Sequence, residues 1–190
     1  MDSLELMVEE HKNIKRMLGV LRRASYQVLK GDPVPFDDFE RMISFVRGYA
    51  DRHHHGKEEE LLFNRMMEEM GPVAEKLVRF GMLVEHDLGR LYMGQLEEAL
   101  EKVRGGDDMA RLDVISNAVS YTHLLNRHID KEDTLVYPFA RRDLKPETLE
   151  EVHANSRAFE EEAEKEGTQK KYLDLLEELE ARYPVAPEGK

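Results

Sequence analysis

Residues 54–63 read HHGKEEELLF and residues 128–137 read HIDKEDTLVY, and laid over each other they match at Lys57/Lys131, Glu58/Glu132, Glu59/Asp133, Leu61/Leu135, Leu62/Val136 and Phe63/Tyr137. The likeness extends upstream. His11 precedes His54 by 43 residues and His86 precedes His128 by 42. Each upstream histidine follows a glutamate, Glu10 or Glu85, and has a methionine four residues before it, Met7 or Met82. The chain is therefore written as two similar halves, each offering His, then His with Glu four residues on.

Glycine and proline cut the chain at Gly31-Asp32-Pro33, Met70-Gly71-Pro72, Gly105-Gly106 and Lys145-Pro146, leaving long stretches between. Leu4, Met7, Val8, His11, Ile14, Leu18 and Leu21 recur at the 3- and 4-residue spacing of an amphipathic helix that ends at Gly31. A second helix is predicted from about Phe36 to Met70, and a third from between Pro72 and Gly81 to Arg104. A fourth follows a cap at Asp107 or Asp108 and is brought towards its end by Pro138. Four long helices on short connections predict an all-α protein, an antiparallel up-down-up-down four-helix bundle over residues 1–142. Residues 146–183 predict an appended acidic C-terminal helical extension, split at Gly167 with Thr168 as cap, packed on or beside that bundle.

The heights of the histidines follow from the helical rise of 1.5 Å per residue. His11 lies 20 residues before Gly31 and His54 lies 23 after it, roughly 30 and 34 Å of helix. His86 and His128 lie 19 before Gly105 and 22 after Gly106, roughly 28 and 33 Å. All four helices thus bring a histidine to one level. Residues four apart share a helix face, so His54/Glu58 and His128/Glu132 can each converge on one point.

Composition narrows the chemistry. Of 190 residues, 28 are Lys or Arg and 40 are Asp or Glu, a net charge of −12 that argues against nucleic acid or an anionic membrane as partner. With no cysteine, disulfides, iron–sulfur clusters and zinc–thiolate sites are excluded, and a metal must sit on nitrogen and oxygen. The opening MDSLELMVEEHK carries acids where a signal peptide needs basic residues, and no apolar run is long enough for a membrane helix, so the expected location is cytoplasmic. Burying four His and two Glu without a metal would leave polar groups unpaired in a core. Imidazole with carboxylate suits iron or manganese, with zinc possible.

The four-part pattern of Glu-Glu-His11, His54-His-Gly-Lys-Glu58-Glu, Glu-His86 and His128-Ile-Asp-Lys-Glu132-Asp resembles the hemerythrin-like, or HHE cation-binding, family over residues 1–142. The resemblance implies a non-haem di-iron centre inside an antiparallel four-helix bundle. It implies His11, His54, His86 and His128 as terminal ligands and Glu58 and Glu132 as carboxylate bridges, beside an oxo or hydroxo bridge. The oxygen carriers of that family have two His four apart on the third helix, whereas Met82 and Arg90 flank His86 at those positions. Simple oxygen carriage is therefore not the expectation. The second bridge, four residues after its His, is closer to bacterial branches linked to oxygen, nitric oxide, peroxide or iron handling.

Several neighbours have two readings. His53, His54 and His55 compete for one inward position, His54 has the partner alignment, and His55 or Glu59 is a candidate for an additional ligand. Met7 and Met82 read as pocket wall, since thioether is soft for iron. Tyr121, seven residues before His128, is a candidate hydrogen-bonder behind the ligands or a core aromatic, and Arg90 either steers an anion or pairs with an acid. His123 and His153 read as surface or satisfied core residues. The functional expectation is a di-iron protein that binds, senses or processes O2, NO or peroxide. The alternatives are an iron-handling or peroxide-decomposing enzyme, and a zinc-bound or metal-free helical interaction module.

Overall fold

The computed structural model describes residues 2–185. They form six continuous helical rods, with no strand among the described residues. The first helix, Ser3–Leu29, starts on a capping box in which Asp2 accepts from the Glu5 amide and Glu5 reaches back to the Asp2 amide. Its chain reverses at Gly31, whose φ of 99° is a left-handed conformation costly for a residue with Cβ. The second helix spans residues 36–69, the third 71–104 and the fourth 108–143. Asp107 caps the fourth by accepting from the Met109 amide. A fifth, Pro146–Lys165, and a sixth, Thr168–Arg182, complete the chain.

The fourth helix runs five residues past Pro138 and ends at Asp143. Proline sits in the first turn of helix resuming after the wider turns of Glu132–Val136, where a missing N–H costs little. At the start of the sixth helix the cap is Gly167, in left-handed conformation with φ 72°, and Thr168 is already helical.

The second, third and fourth helices each carry stretches of π turns, Val46–His55 and Glu58–Phe63 in the second, Val78–Met82 in the third and Glu132–Val136 in the fourth. There the amide bonds to the carbonyl five residues back, as Gly56 does to Asp51. Such turns are rare and cluster at functional sites, because they shift which side chains face inward. Three of the four flank or contain the repeated His and Glu positions.

The first helix packs on the fourth and the third on the fourth, while the second meets both the first and the third. The fifth and sixth helices lie against the first and second. Gly48 marks that docking surface, because a Cβ there would overlap the ring of Tyr172. Tyr172 stands edge-on to Phe45 and Tyr49, and Tyr183 donates to Asp38 at 2.7 Å. The apolar core is in two pieces. One, containing Ile14, Leu21, Phe39, Leu96 and Leu125, fills the end near Gly31 and Gly106. The other, containing Leu4, Met7, Phe63, Met66, Val78 and Val136, fills the end near Gly71. Between them runs a buried belt of His, Glu and Lys side chains.

Candidate metal centre

The belt is built by the repeated positions. His11, His54, Glu58 and Glu132 place one donor atom each within 4.8 Å of one another, and so do His55, Glu58, His86 and His128. Glu58 belongs to both groups. Both sets are buried on every member.

The distances suit donors converging on cations better than a hydrogen-bond network. His11 Nε2 lies 2.8 Å from His54 Nε2, and His86 Nε2 lies 3.0 Å from His128 Nε2. Two donors about 2.1 Å from one ion and at a right angle stand about 3.0 Å apart. The Glu132 carboxylate spans the groups, with Oε2 3.3 Å from His11 and Oε1 2.9 Å from His128. Oε2 of Glu58 lies 3.7 Å from His54 and 3.5 Å from His86, while its Oε1 accepts from the Tyr137 hydroxyl. Apart from these imidazole nitrogens, Glu58 Oε2 and both oxygens of Glu132 have no hydrogen-bond partner among the described residues. Buried carboxylate oxygens are costly without partners, so a donor set of this kind fits a cation.

A second layer aims the imidazoles. His54 Nδ1 faces Glu10 at 2.7 Å, His86 Nδ1 faces Glu59 at 2.7 Å, His128 Nδ1 faces Glu85 at 2.9 Å and His11 Nδ1 faces Asp133 at 2.7 Å. Each carboxylate sits beside one inward residue in sequence and holds the histidine of the next helix, so the four contacts close a ring around the bundle axis. A carboxylate on Nδ1 keeps the proton there and turns the Nε2 lone pair inward, the tautomer that ligates metal.

Without metal, the facing lone pairs must be separated by protons. For His11, burial opposes protonation, but Asp133 and Glu132 outweigh it and raise its pKa. For His128, burial is likewise overcome by Glu132 and then Glu85, which bring it to about 9. Their partners go the other way: burial and the His11 charge push His54 down to about 3, and burial with His55 and His128 holds His86 well below its ordinary range. Burial and the charge of Glu132 raise Glu58 well above the carboxylate range. In each close imidazole pair, carboxylates push one member up and burial with neighbouring charge pushes the other down.

The repeated six residues all lie in the belt. So does His55: two of His53, His54 and His55 turn toward the centre rather than one, within the π turns of Val46–His55, while His53 is buried on the outer side against Glu10, Glu160 and Phe159. His55 stacks on His86 with ring centres 3.8 Å apart and places a nitrogen in the second group. Glu59 is in neither group and instead holds His86 from behind. Arg90 pairs with Glu59 and Asp51, the carboxylates that meet His86 and His55, so it acts on the centre through them. Tyr121 makes no hydrogen bond to the six residues; it packs in the core and lines a cavity of about 200 Å³ with Val46, Asp51, His55, His86 and Met93. The hydroxyl that does reach a ligand-type residue is that of Tyr137, which stacks on His11 with ring centres 5.6 Å apart. The repeat carried a signal for it, since Tyr137 aligns with Phe63, which faces His86 at 6.0 Å. His123 is exposed, and His153 is buried against Ser3.

Residues 2–140 match the family described as Hemerythrin HHE cation binding domain. The chain belongs to that family. It is also similar to uncharacterized proteins of Mycobacterium bovis and of two Mycobacterium tuberculosis strains, each 23% identical over 137 residues, which is 72% of this chain and 52% of theirs. The match thus spans about half the length of those relatives. The hemerythrin HHE membership and the buried His/Glu cluster together describe a metal-binding domain. No helix among the described residues is long and apolar enough to cross a membrane.

Proposed function

We propose that this hemerythrin HHE protein is a di-iron protein that binds, senses or processes a small ligand, O2, NO or peroxide, inside an up-down-up-down four-helix bundle in the cytoplasm. The observation that carries the reading is the set of three buried carboxylate oxygens on Glu58 and Glu132 that face inward-turned imidazoles on both sides. His11 and His54 would hold one ion, and His86, His128 and His55 the other, with Glu58 and Glu132 shared between them. Imidazole and carboxylate together suit iron in both its common oxidation states. Bound iron supplies one-electron exchange and an open position for a small ligand.

The protein's own part is orientation, exclusion of water and proton control. The carboxylate ring fixes each Nε2, the two apolar clusters keep bulk water from the belt, and Tyr137 offers an O–H proton at Glu58 Oε1. The two halves differ in access. The cavity beside His55 and His86 is a partly open pocket of about 200 Å³ lined by Val46, Met93 and Tyr121 on one side and Asp51 and Arg90 on the other, and its volume exceeds that of an engineered apolar cavity of about 150 Å³ that holds benzene. Room of that size favours, as a second reading, turnover of a ligand larger than a diatomic, in the peroxide-decomposing class.

The test is anaerobic reconstitution with ferrous iron of protein made without a histidine tag, followed by elemental analysis and ultraviolet–visible spectra before and after reduction. Two irons per chain, with near-ultraviolet bands that bleach on reduction, support the di-iron reading. Uptake of zinc alone, or of no metal, overturns it in favour of a zinc-bound or metal-free helical module. Turnover of peroxide by the loaded protein, lost in His86→Ala, selects the enzymatic reading.

A further inference from the structure

Glu10 and Glu85 occupy equivalent places, each holding a histidine of the next helix and each paired with a lysine, Lys57 or Lys131. Their surroundings are not equivalent. The Lys131 side chain is 40% exposed and has Glu85 as its ion-pair partner. The Lys57 side chain is wholly buried and is gripped by two carboxylates, Glu10 from the first helix and Glu160 from the fifth. Glu160 Oε1 also lies 3.2 Å from His53 Nε2, and its Oε2 accepts from Gln169 at 2.9 Å. Phe159, its neighbour, covers both the His53 ring and the Lys57 ammonium. Glu10, His53 and Glu160 converge as closely as metal donors do, with the lysine ammonium as the cation among them.

The fifth helix lies outside the residues that match the family, which end at 140. We propose that this extension is a working part of the metal centre: Glu160, through Lys57, positions Glu10 against His54 and seals the outer layer of the first metal position from water. The inference rests on the reading of the belt as a two-metal site. Without Glu160 the three-donor ammonium of Lys57 would be buried with Glu10 and a long 3.4 Å contact to His53, whereas the second carboxylate gives it another charged acceptor and fixes the Glu10 side chain between lysine and His54. Formal charges are unequal as a result. The Glu10, Lys57, Glu160 group carries one net negative charge beside the first position, and the Glu85, Lys131 pair carries none beside the second. Glu160 is thus a positioning residue, with Lys57 and Glu10 standing between it and His54.

The experiment measures release of iron from the doubly loaded full-length protein to an excess of a chromogenic chelator, which resolves the two ions as two kinetic phases. Removing an outer-layer partner typically weakens a metal site by about 10- to 100-fold. Glu160→Gln is expected to accelerate one phase by about that factor and to leave the other unchanged, and His55→Ala to move only the other. Thr148→Val loosens the same extension at its contact with Glu69, far along the chain from Lys57, and should move neither phase. Equal release from wild type and Glu160→Gln, or acceleration of both phases alike, overturns the proposal while the two-metal reading stands. A wild-type chain that takes up no metal overturns both.

Discussion

The first half of the belt, His11 and His54, and the second, His86 and His128, are built by the same residues at the same spacings, yet they are not the same site. Around the first stand Tyr137, a buried Lys57 and the C-terminal extension. Around the second stand Phe63, a half-exposed Lys131, the extra imidazole of His55 and a cavity. The six candidate donors are common to both halves; the residues that differ set water access, charge and room, and add His55 to the second group. The repeat supplies a symmetrical donor set, and single differences within it, Ile129 against His55 or Phe63 against Tyr137, make the two positions unequal.

The largest predicted effect breaks the pair itself. Glu132 points one oxygen into each half, so Glu132→Ala should lower uptake from two metals per chain to one or none, read by elemental analysis; two retained metals would show that the halves are independent. Next comes the same change at equivalent places. Lys57→Met leaves Glu10 without its cation in a dry setting and should cost about 3–5 kcal/mol in chemical denaturation, the range for breaking a buried pair. Lys131→Met, at the exposed counterpart, should cost under about 1 kcal/mol. Equal costs would remove the distinction.

Smaller again is the exchange of aromatic neighbours. Tyr137→Phe removes the donor to Glu58 Oε1 and should destabilise the metal-free protein by about 1–3 kcal/mol. The last prediction concerns protons. A bound metal needs a neutral imidazole, and His128 in the metal-free chain holds its proton up to about pH 9. Loading should therefore release more protons at pH 7 than at pH 10, by about one from this residue, as measured by titration in weak buffer. The linkage works in the same direction for stability: a pKa raised above the ordinary value contributes fully below about pH 6.5 and is lost as pH rises through about 9. Metal-free protein should lose stability across that window.

Much of this was legible in the chain. Helix ends followed from Gly31, Gly71, Gly106 and Asp107, because left-handed turns and caps are local chemistry. The common level of His11, His54, His86 and His128 followed from counting residues at a fixed rise. Even the outer carboxylates were visible in outline, as Glu10/Glu85 and Glu59/Asp133 are themselves repeated. What stayed hidden was direction. A regular helix puts His54 inward and turns His55 aside, and the π turns that bury both are not written in any short motif. For the same reason Tyr121, correctly spaced from His128, lines the cavity, while Tyr137 reaches Glu58.

By itself, then, the sequence determined the helical class, the repeat and the set of candidate donors, because these depend on residue type, spacing and rise along one helix. The tertiary structure alone decided which helix orients which histidine, that His55 joins the second group, and that Glu160 meets a lysine 103 residues before it. Those outcomes depend on how separate helices pack around the belt. Burial and partners across the bundle are properties of the assembled core, and no window of the chain contains them.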